Sequence, residues 1–325
     1  MRRKRVLVVG DLILDHYLCG RVERISPEAP VPIVTLEAEG ERWVPGGAAN
    51  VARNVSSLGG VPIMAGVRGD DREGATLERL LAESGVDVSG VVTDPSRPTT
   101  SKTRIMSGGH QLIRLDSETT SSISGEVTSR LLSHILAVLG SVDAVILQDY
   151  NKGVLYPALT GSVLSRAREA GVPVAVDPKF DHFLSYGGCA LFKPNRHETS
   201  RVLGRRISTV GEAADAGLEL LHRLPAGAVL ITLGEEGSVL VREGHPPFHT
   251  PTAARHVFDV SGAGDTVIAV MGLCMAAGLP LEDSVRVSNF AAAATCAEPG
   301  VYSVRPEDII REVVHHAALE GADLG

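Results

Sequence analysis

"FDVSGAGDTV", residues 258–267, sets two glycines, an alanine and two aspartates where a polar turn runs into an apolar stretch. The apolar run that follows, "TVIAVMGLCMAAGLPL", predicts a helix starting near Ala263. A helix start exposes unpaired backbone N–H groups and the positive end of its dipole, and Gly262, Ala263 and Gly264 are small enough for an anion to approach that backbone closely. A carboxylate beside such an anion would repel it, unless it takes a proton from a hydroxyl that then attacks phosphorus. On that reading Asp265 is a general base for phosphoryl transfer. On the plainer one it caps the helix, a position that favours Asp.

Outward from this stretch, short β-branched runs alternate with helical patterns: "RVLVVG", "AANVARNVSSLG", "VPIMAGV", "GATLERLLAESG", and onward to "AVLITLG". Such alternation predicts βαβ units and a parallel sheet, closed by three helical stretches from about 263. No linker, fixed-period repeat or low-complexity tract interrupts it, so one doubly wound α/β domain over 1–325 is expected. Two segments break the alternation, "APVPIVTLEAEGERWVPGG" (29–47) and "TTSKTRIMSGGHQLIRLD" (99–116). Both read as strands without an intervening helix. A small β-sheet lid from about 16–45 and 98–117 is expected over a cleft, with a decorative hairpin as the simpler alternative.

Composition narrows the ligand. The net charge is −8 and aromatics make up 4% of the chain, which argues against a nucleic-acid or anionic-membrane partner and for a small molecule. Thirty-five glycines suit strand-to-helix turns that meet a ligand with bare backbone. Cys19, Cys189, Cys274 and Cys296 are scattered without a CxxC pair, so no zinc site or disulfide framework is suggested and a reducing cytoplasm fits. Asp11 and Asp15 interrupt the apolar amino-terminal run, which therefore reads as a first strand rather than a signal peptide. The stretch after Asp265 is too short for a membrane span and reads as a buried helix.

In open α/β sheets ligands bind beyond the carboxyl ends of the strands. Asp11, Asp15, Asp149, Asp177, Lys179, Asn195 and Thr232 all follow strand-like runs and would line one such edge. Gly46 and Gly47 precede a helix with Asn50 on its first turn, suited to sugar hydroxyls. "NRHE" offers Asn195 and Glu198 at i and i+3, either for a hydrated Mg²⁺ or as a capping box. Lys102, Arg104, Arg114 and Lys179 could neutralise a substrate phosphate or make surface ion pairs. His16, His110 and His197 lack metal-ligand spacing.

With these residues assembled, the chain resembles the ribokinase-like (PfkB) family of sugar kinases over essentially its full length. "PGGAANVARN" is similar to that family's amino-terminal signature and "DVSGAGDT" to its carboxy-terminal one. The resemblance implies a ribokinase-like fold, ATP and Mg²⁺ as cofactors with a monovalent cation such as K⁺, Asp265 as base, and Gly262, Ala263 and Gly264 as anion hole. It also implies nucleotide contacts from Asn195, Glu198, Thr232, Gly234, Gly237, Asp259 and Asn289. Asn195 and Glu198 would meet the metal through water.

"RISPEAPVPIV", "QLIRLD", "DYNKG" and "DPK" resemble the branch that phosphorylates D-glycero-β-D-manno-heptose 7-phosphate at O1, in the ADP-heptose route to lipopolysaccharide. That implies a sugar phosphate as partner, held by Asp15, Gly46, Gly47, Asn50, Lys102, Arg104, Arg114, Asp149 and Lys179, and a homodimer through the lid strands. The chain departs from the branch pattern at His16 and at Gly108, Gly109 and His110, where positive residues are common. It also stops soon after "SVRPEDIIREVV", so no adenylyltransferase domain is expected. Two alternatives remain: a related kinase of ribose, fructose, 2-keto-3-deoxygluconate or a nucleoside, and a catalytically idle binding protein of the same fold.

Overall fold

Leu7 and Val9 of the first strand face one hydrophobic cluster while Val6 and Val8 face another, and all four are fully buried. A strand covered on both faces is the mark of a sheet sandwiched between helices. The computed structural model describes residues 1–255 and 257–322. The strands are β1 (Arg5–Gly10), β2 (Leu12–Ile25), β3 (Pro32–Gly47), β4 (Val61–Arg68), β5 (Asp87–Thr93), β6 (Ser101–Ser107), β7 (His110–Ser117), β8 (Ala144–Gln148), β9 (Val174–Asp177), β10 (Leu191–Phe192), β11 (Val229–Thr232), β12 (Ser238–Val241) and β13 (Phe248–Thr250). The helices are α1 (Ala48–Ser57), α2 (Arg72–Glu83), α3 (Gly125–Leu139), α4 (Pro157–Glu169), α5 (Arg196–Leu203), α6 (Val210–Arg223), α7 (Ala263–Ala276), α8 (Leu281–Cys296) and α9 (Pro306–Ala322).

The main sheet has nine strands in the order β13-β12-β11-β10-β9-β8-β1-β4-β5. Its pairings are parallel from β11 through β5, and β12 and β13 add antiparallel strands at one edge. Residues of α3, α4 and α6 cover one face, including Leu131, Ile135, Val163 and Leu220; α1, α2, α7 and α8 cover the other. Each fully buried Leu or Ile contributes about 1.5–3 kcal/mol of transfer free energy.

Helix α7 is buried on nearly every side, as its unbroken apolar run requires. It approaches the sheet so closely that a Cβ on Gly272 would stand 2.5 Å from Ile146 Cδ1. No helix among the described residues is long and apolar enough to cross a membrane.

The second sheet, β3-β2-β6-β7, is built by the two segments that break the alternation. It begins closer to the core than about residue 16, because β2 leaves straight from Asp11 and β3 returns through Gly46 and Gly47 into α1. Cross-strand register sorts its faces. Asp15 lies beside Lys102, and Tyr17 beside Arg104 and Arg42, on one face; Leu18 lies beside Ile105, which in turn faces Ile113, on the other.

Candidate active site

Gly262 caps α7 with φ 80°, a left-handed conformation that glycine adopts without penalty. A Cβ there would lie 3.0 Å from Asn50 Nδ2. The Ala263 N–H turns back to the Val260 carbonyl at 3.2 Å, whereas those of Gly264 and Asp265 find no acceptor among the described residues. The Gly262 N–H likewise has no acceptor among the described residues, so within the small-residue run only the Ala263 N–H is spent on the turn, and Asp265 adds a further free donor.

The Asp265 carboxylate is turned away from its own helix. Oδ2 accepts from Asn50 Nδ2 at 2.9 Å; Oδ1 accepts from Tyr150 OH at 2.8 Å and from Gln148 Nε2 at 3.2 Å. None of these is a bond to its own first turn, so the geometry is not that of a cap. Burial pushes its pKa up to about 6; the Asn50 and Tyr150 hydrogen bonds oppose that rise and Asp177 adds to it. A carboxyl so poised is largely ionised at neutral pH yet basic enough to accept a proton.

The strand ends supply the surroundings. Gln148, at the end of β8, also donates to Asp177 Oδ2 at 3.1 Å, joining two carboxylates that would otherwise repel. Lys193, only 2% exposed, follows β10 and pairs with the same Asp177 oxygen at 3.0 Å. Lys179 pairs with Glu198, and its Nζ stands 5.3 Å from the Tyr150 ring centroid. Burial works against the charged Lys179, but Asp177 and Glu198 outweigh it and its pKa rises.

Two adjoining hollows open at this edge. One, of about 490 Å³, is lined by Asp265, Gly264, Tyr150, Lys179, Lys193 and Thr232 among others. The other, of about 530 Å³, shares Thr232, Gly234, Val260 and Gly264 with it and is walled by Val267, Ala292, Ala293 and Asn289. The first gathers charged side chains of both signs, Lys179, Lys193 and Arg196 with Asp177 and Asp265; the second has small apolar walls suited to a planar ring.

Not every residue expected at the site reaches these hollows. Asn195 and Glu198 form a reciprocal capping box on α5, at 2.8 and 2.9 Å, and Asn195 bridges to Thr232. Asn195 nevertheless lines the polar hollow, while Glu198 lies behind it. Gly237 and Asn289 line the apolar hollow, where Asn289 ties down the 251–253 loop through Ala253 N–H and the Pro251 carbonyl. Asp259 accepts from Ser261 N–H and Gly300 N–H. The Asn50 amide is already committed to Asp265, and Gly46 packs on Asp15. Gly47 enters α1 with φ 57°.

On the second sheet Arg104 pairs with Asp15 at 2.5 Å, Lys102 with Asp116 and Glu118, and Arg114 with Asp116. The Asp149 carboxylate is taken by Tyr186 OH and Asn151 N–H, and it does not line either hollow. Neighbouring Asp11 holds the Tyr150, Lys152 and Val154 N–H groups; burial first and Asp149 second raise its pKa to about 6. His16 faces away from Asp15, stacked on Trp43 at 3.5 Å, and Gly108 and Gly109 form the exposed β6–β7 tip. Gln148, Tyr150 and Lys193 were not anticipated. The polar residues that interrupt "AVILQDY" and "ALFKPN" at the ends of apolar strands were the available signal.

A buried carboxylate at a helix start, with lysines nearby and two adjoining hollows, is an arrangement compatible with phosphoryl transfer. A family model for pfkB family carbohydrate kinases matches residues 3–308. The chain belongs to that family. Its kinases use ATP and act on small sugar substrates.

Among curated relatives, the bifunctional protein HldE of Citrifermentans bemidjiense is 42% identical over 96% of this chain and 64% of its own length. That of Caulobacter vibrioides is 44% identical over 91% of this chain and 61% of its own. The chain thus spans a little under two thirds of the relatives it matches. Among solved structures, Arabidopsis thaliana ribokinase complexed with ribose and ATP superposes with TM-score 0.76 at 21% identity, covering 96% of this chain and 99% of that one. Escherichia coli phosphofructokinase-2 in complex with fructose-6-phosphate gives 0.78 at 22%, covering 97% and 99%. The pfkB kinase adopts the ribokinase-like α/β fold.

Proposed function

We propose that this kinase transfers the γ-phosphoryl group of ATP to O1 of D-glycero-β-D-manno-heptose 7-phosphate, giving the 1,7-bisphosphate. The observation that carries the reading is the Asp265 carboxylate, held by three side chains beside the free N–H groups that open α7. Asp265 takes the proton of the attacking hydroxyl. The Gly264 and Asp265 N–H groups, with Lys193 nearby, meet the charge on the transferring group. The adenine would occupy the hollow walled by Val267, Ala292 and Ala293, with Thr232, Gly234, Gly237 and Asn289 around it.

The choice of sugar is supported by "RISPEAPVPIV" and the other heptose-kinase segments, and by 42–44% identity to HldE proteins. Lys102, Arg104 and Arg114 in the lid sheet suit an anionic sugar better than a neutral one. Asp15, Gly46, Gly47 and Lys179 belong to the sugar side of the reading, with Asn50 and Asp149 acting from behind.

Among the described residues no cluster of three or more His, Cys, Asp or Glu is arranged to hold a metal, and both Glu198 oxygens are engaged. That donor set fits Mg²⁺ only as a hydrated ion carried on the nucleotide phosphates, near Asn195 and Glu198, where it would neutralise phosphate charge. A monovalent cation such as K⁺ would come with the same family reading; the Asp259 carboxylate accepts from the Ser261 and Gly300 N–H groups. A cytoplasmic homodimer joined through the lid fits the apolar lid face, where Leu36, Ile113 and Leu115 are at least half exposed.

The test is ADP release with Mg·ATP across this heptose phosphate, sedoheptulose 7-phosphate, ribose, fructose, fructose 6-phosphate and 2-keto-3-deoxygluconate. Selectivity for the heptose phosphate supports the reading. Preference for another sugar moves the substrate within the family, and ATP binding without turnover on any of them would favour an idle binding protein.

A further inference from the structure

A cavity of about 330 Å³ lies between the base of the lid and the helical layer, lined by Arg42, Trp43, Arg53, Glu83, Ser84 and Val301 among others. None of its lining residues lines the two hollows of the active site. Arg53 Nη1 is buried there without a hydrogen-bond partner among the described residues. Burial alone pushes the guanidinium pKa down, with no carboxylate opposing it. An uncompensated buried cation is costly, and guanidinium groups bind oxyanions through parallel N–H donors.

A second arginine, Arg42, lines the same cavity, with its guanidinium at the rim beside Gly300, the residue before the cavity's Val301. Arg42 stands over the Tyr17 ring at 4.8 Å, its Nη2 packed so tightly on Gly300 that a Cβ there would sit 3.0 Å away. The carboxylate on the wall, Glu83, is paired with Arg79 at 2.7 Å and is 57% exposed, so it leaves Arg53 unmatched.

We propose that this cavity is a second binding site, for a small oxyanion such as a phosphate or carboxylate group, held between Arg53 and Arg42. Arg42 and Trp43 belong to β3 of the lid, Arg53 to α1 and Ser84 to the end of α2. An anion there ties the lid base to α1, one turn from the Asn50 that holds Asp265. Occupancy thereby couples lid position to the base.

Trp43 is the only tryptophan in the chain and lines this cavity, so its emission reports on the site directly. Inorganic phosphate is titrated at constant ionic strength, with a saturating non-hydrolysable ATP analogue filling the α7 helix start. The expected result is a saturable change in Trp43 emission, weakened about tenfold or more in Arg53→Met, which keeps the aliphatic length and loses the charge. Arg42→Gln, at an exposed lid position, carries the same expectation should Arg53→Met fail to fold.

Absence of a saturable change, or unaltered titrations in both variants, overturns the site. Repeating the titration with the sugar phosphate present separates the sources. Competition identifies the substrate's own phosphate as occupant, non-competition a free anion, and either supports the site. Failure here leaves the role of Asp265 untouched.

Discussion

Tyr150 OH donates to Asp265 Oδ1 at 2.8 Å, from a loop whose backbone is itself clamped by the Asp11 carboxylate. The bond favours the charged carboxylate and so holds down a pKa that burial raises. Tyr150→Phe should move the acid limb of the kcat profile upward by about half a pH unit to one unit and lower turnover at neutral pH a few fold. A pH–rate profile checks this; a merely structural role would lower kcat without moving the limb.

The same pKa fixes a stability sign. A carboxyl raised from 3.8 to about 6 binds its proton more tightly when folded, so its stabilising effect is full below 3.8 and is lost as pH rises through about 6. Asp265→Asn should therefore gain melting temperature relative to wild type at pH 8, with the difference shrinking towards pH 4. Thermal unfolding at the two pH values measures it. A difference that grows in acid would mean that Asp265 is held by its hydrogen bonds more than it is strained by burial.

Much of the layout was legible because it rests on periodicity. Val6, Val8, Leu7 and Val9 alternate into two cores, and the chain alternates strand with helix. The start of α7 was legible because a polar, glycine-containing turn gives way to an unbroken apolar run at Ala263. Side-chain direction was not: Asn50 is one turn into α1 and reads as a sugar ligand, yet its amide is committed to Asp265. Gln148 and Lys193 end apolar runs and look like strand residues until parallel register brings β8, β9 and β10 side by side. Asp149 and Gln148 are adjacent in sequence, but one bonds Tyr186 and the other Asp265.

Gly262→Ala should lower kcat about tenfold or more. The φ of 80° strains any L side chain, and the new Cβ would stand 3.0 Å from the Asn50 amide that orients Asp265. Steady-state kinetics read this, and an unchanged kcat would show that the loop relaxes without moving the base.

On the lid, Ile113→Glu should convert the proposed dimer to a monomer, since Ile113 sits beside Ile105 on the apolar face. Sedimentation velocity distinguishes the species. A wild-type monomer, or an undisturbed dimer in the variant, would remove the lid from the interface.

The most direct measurement is turnover of D-glycero-D-manno-heptose 7-phosphate with Mg·ATP by wild type and Asp265→Asn side by side, with ATP affinity measured on both. The expected result is clear turnover by wild type, a fall of about 10² or more in the variant, and nearly equal ATP affinity. Turnover by Asp265→Asn within a few fold of wild type would contradict the role of Asp265 as the base.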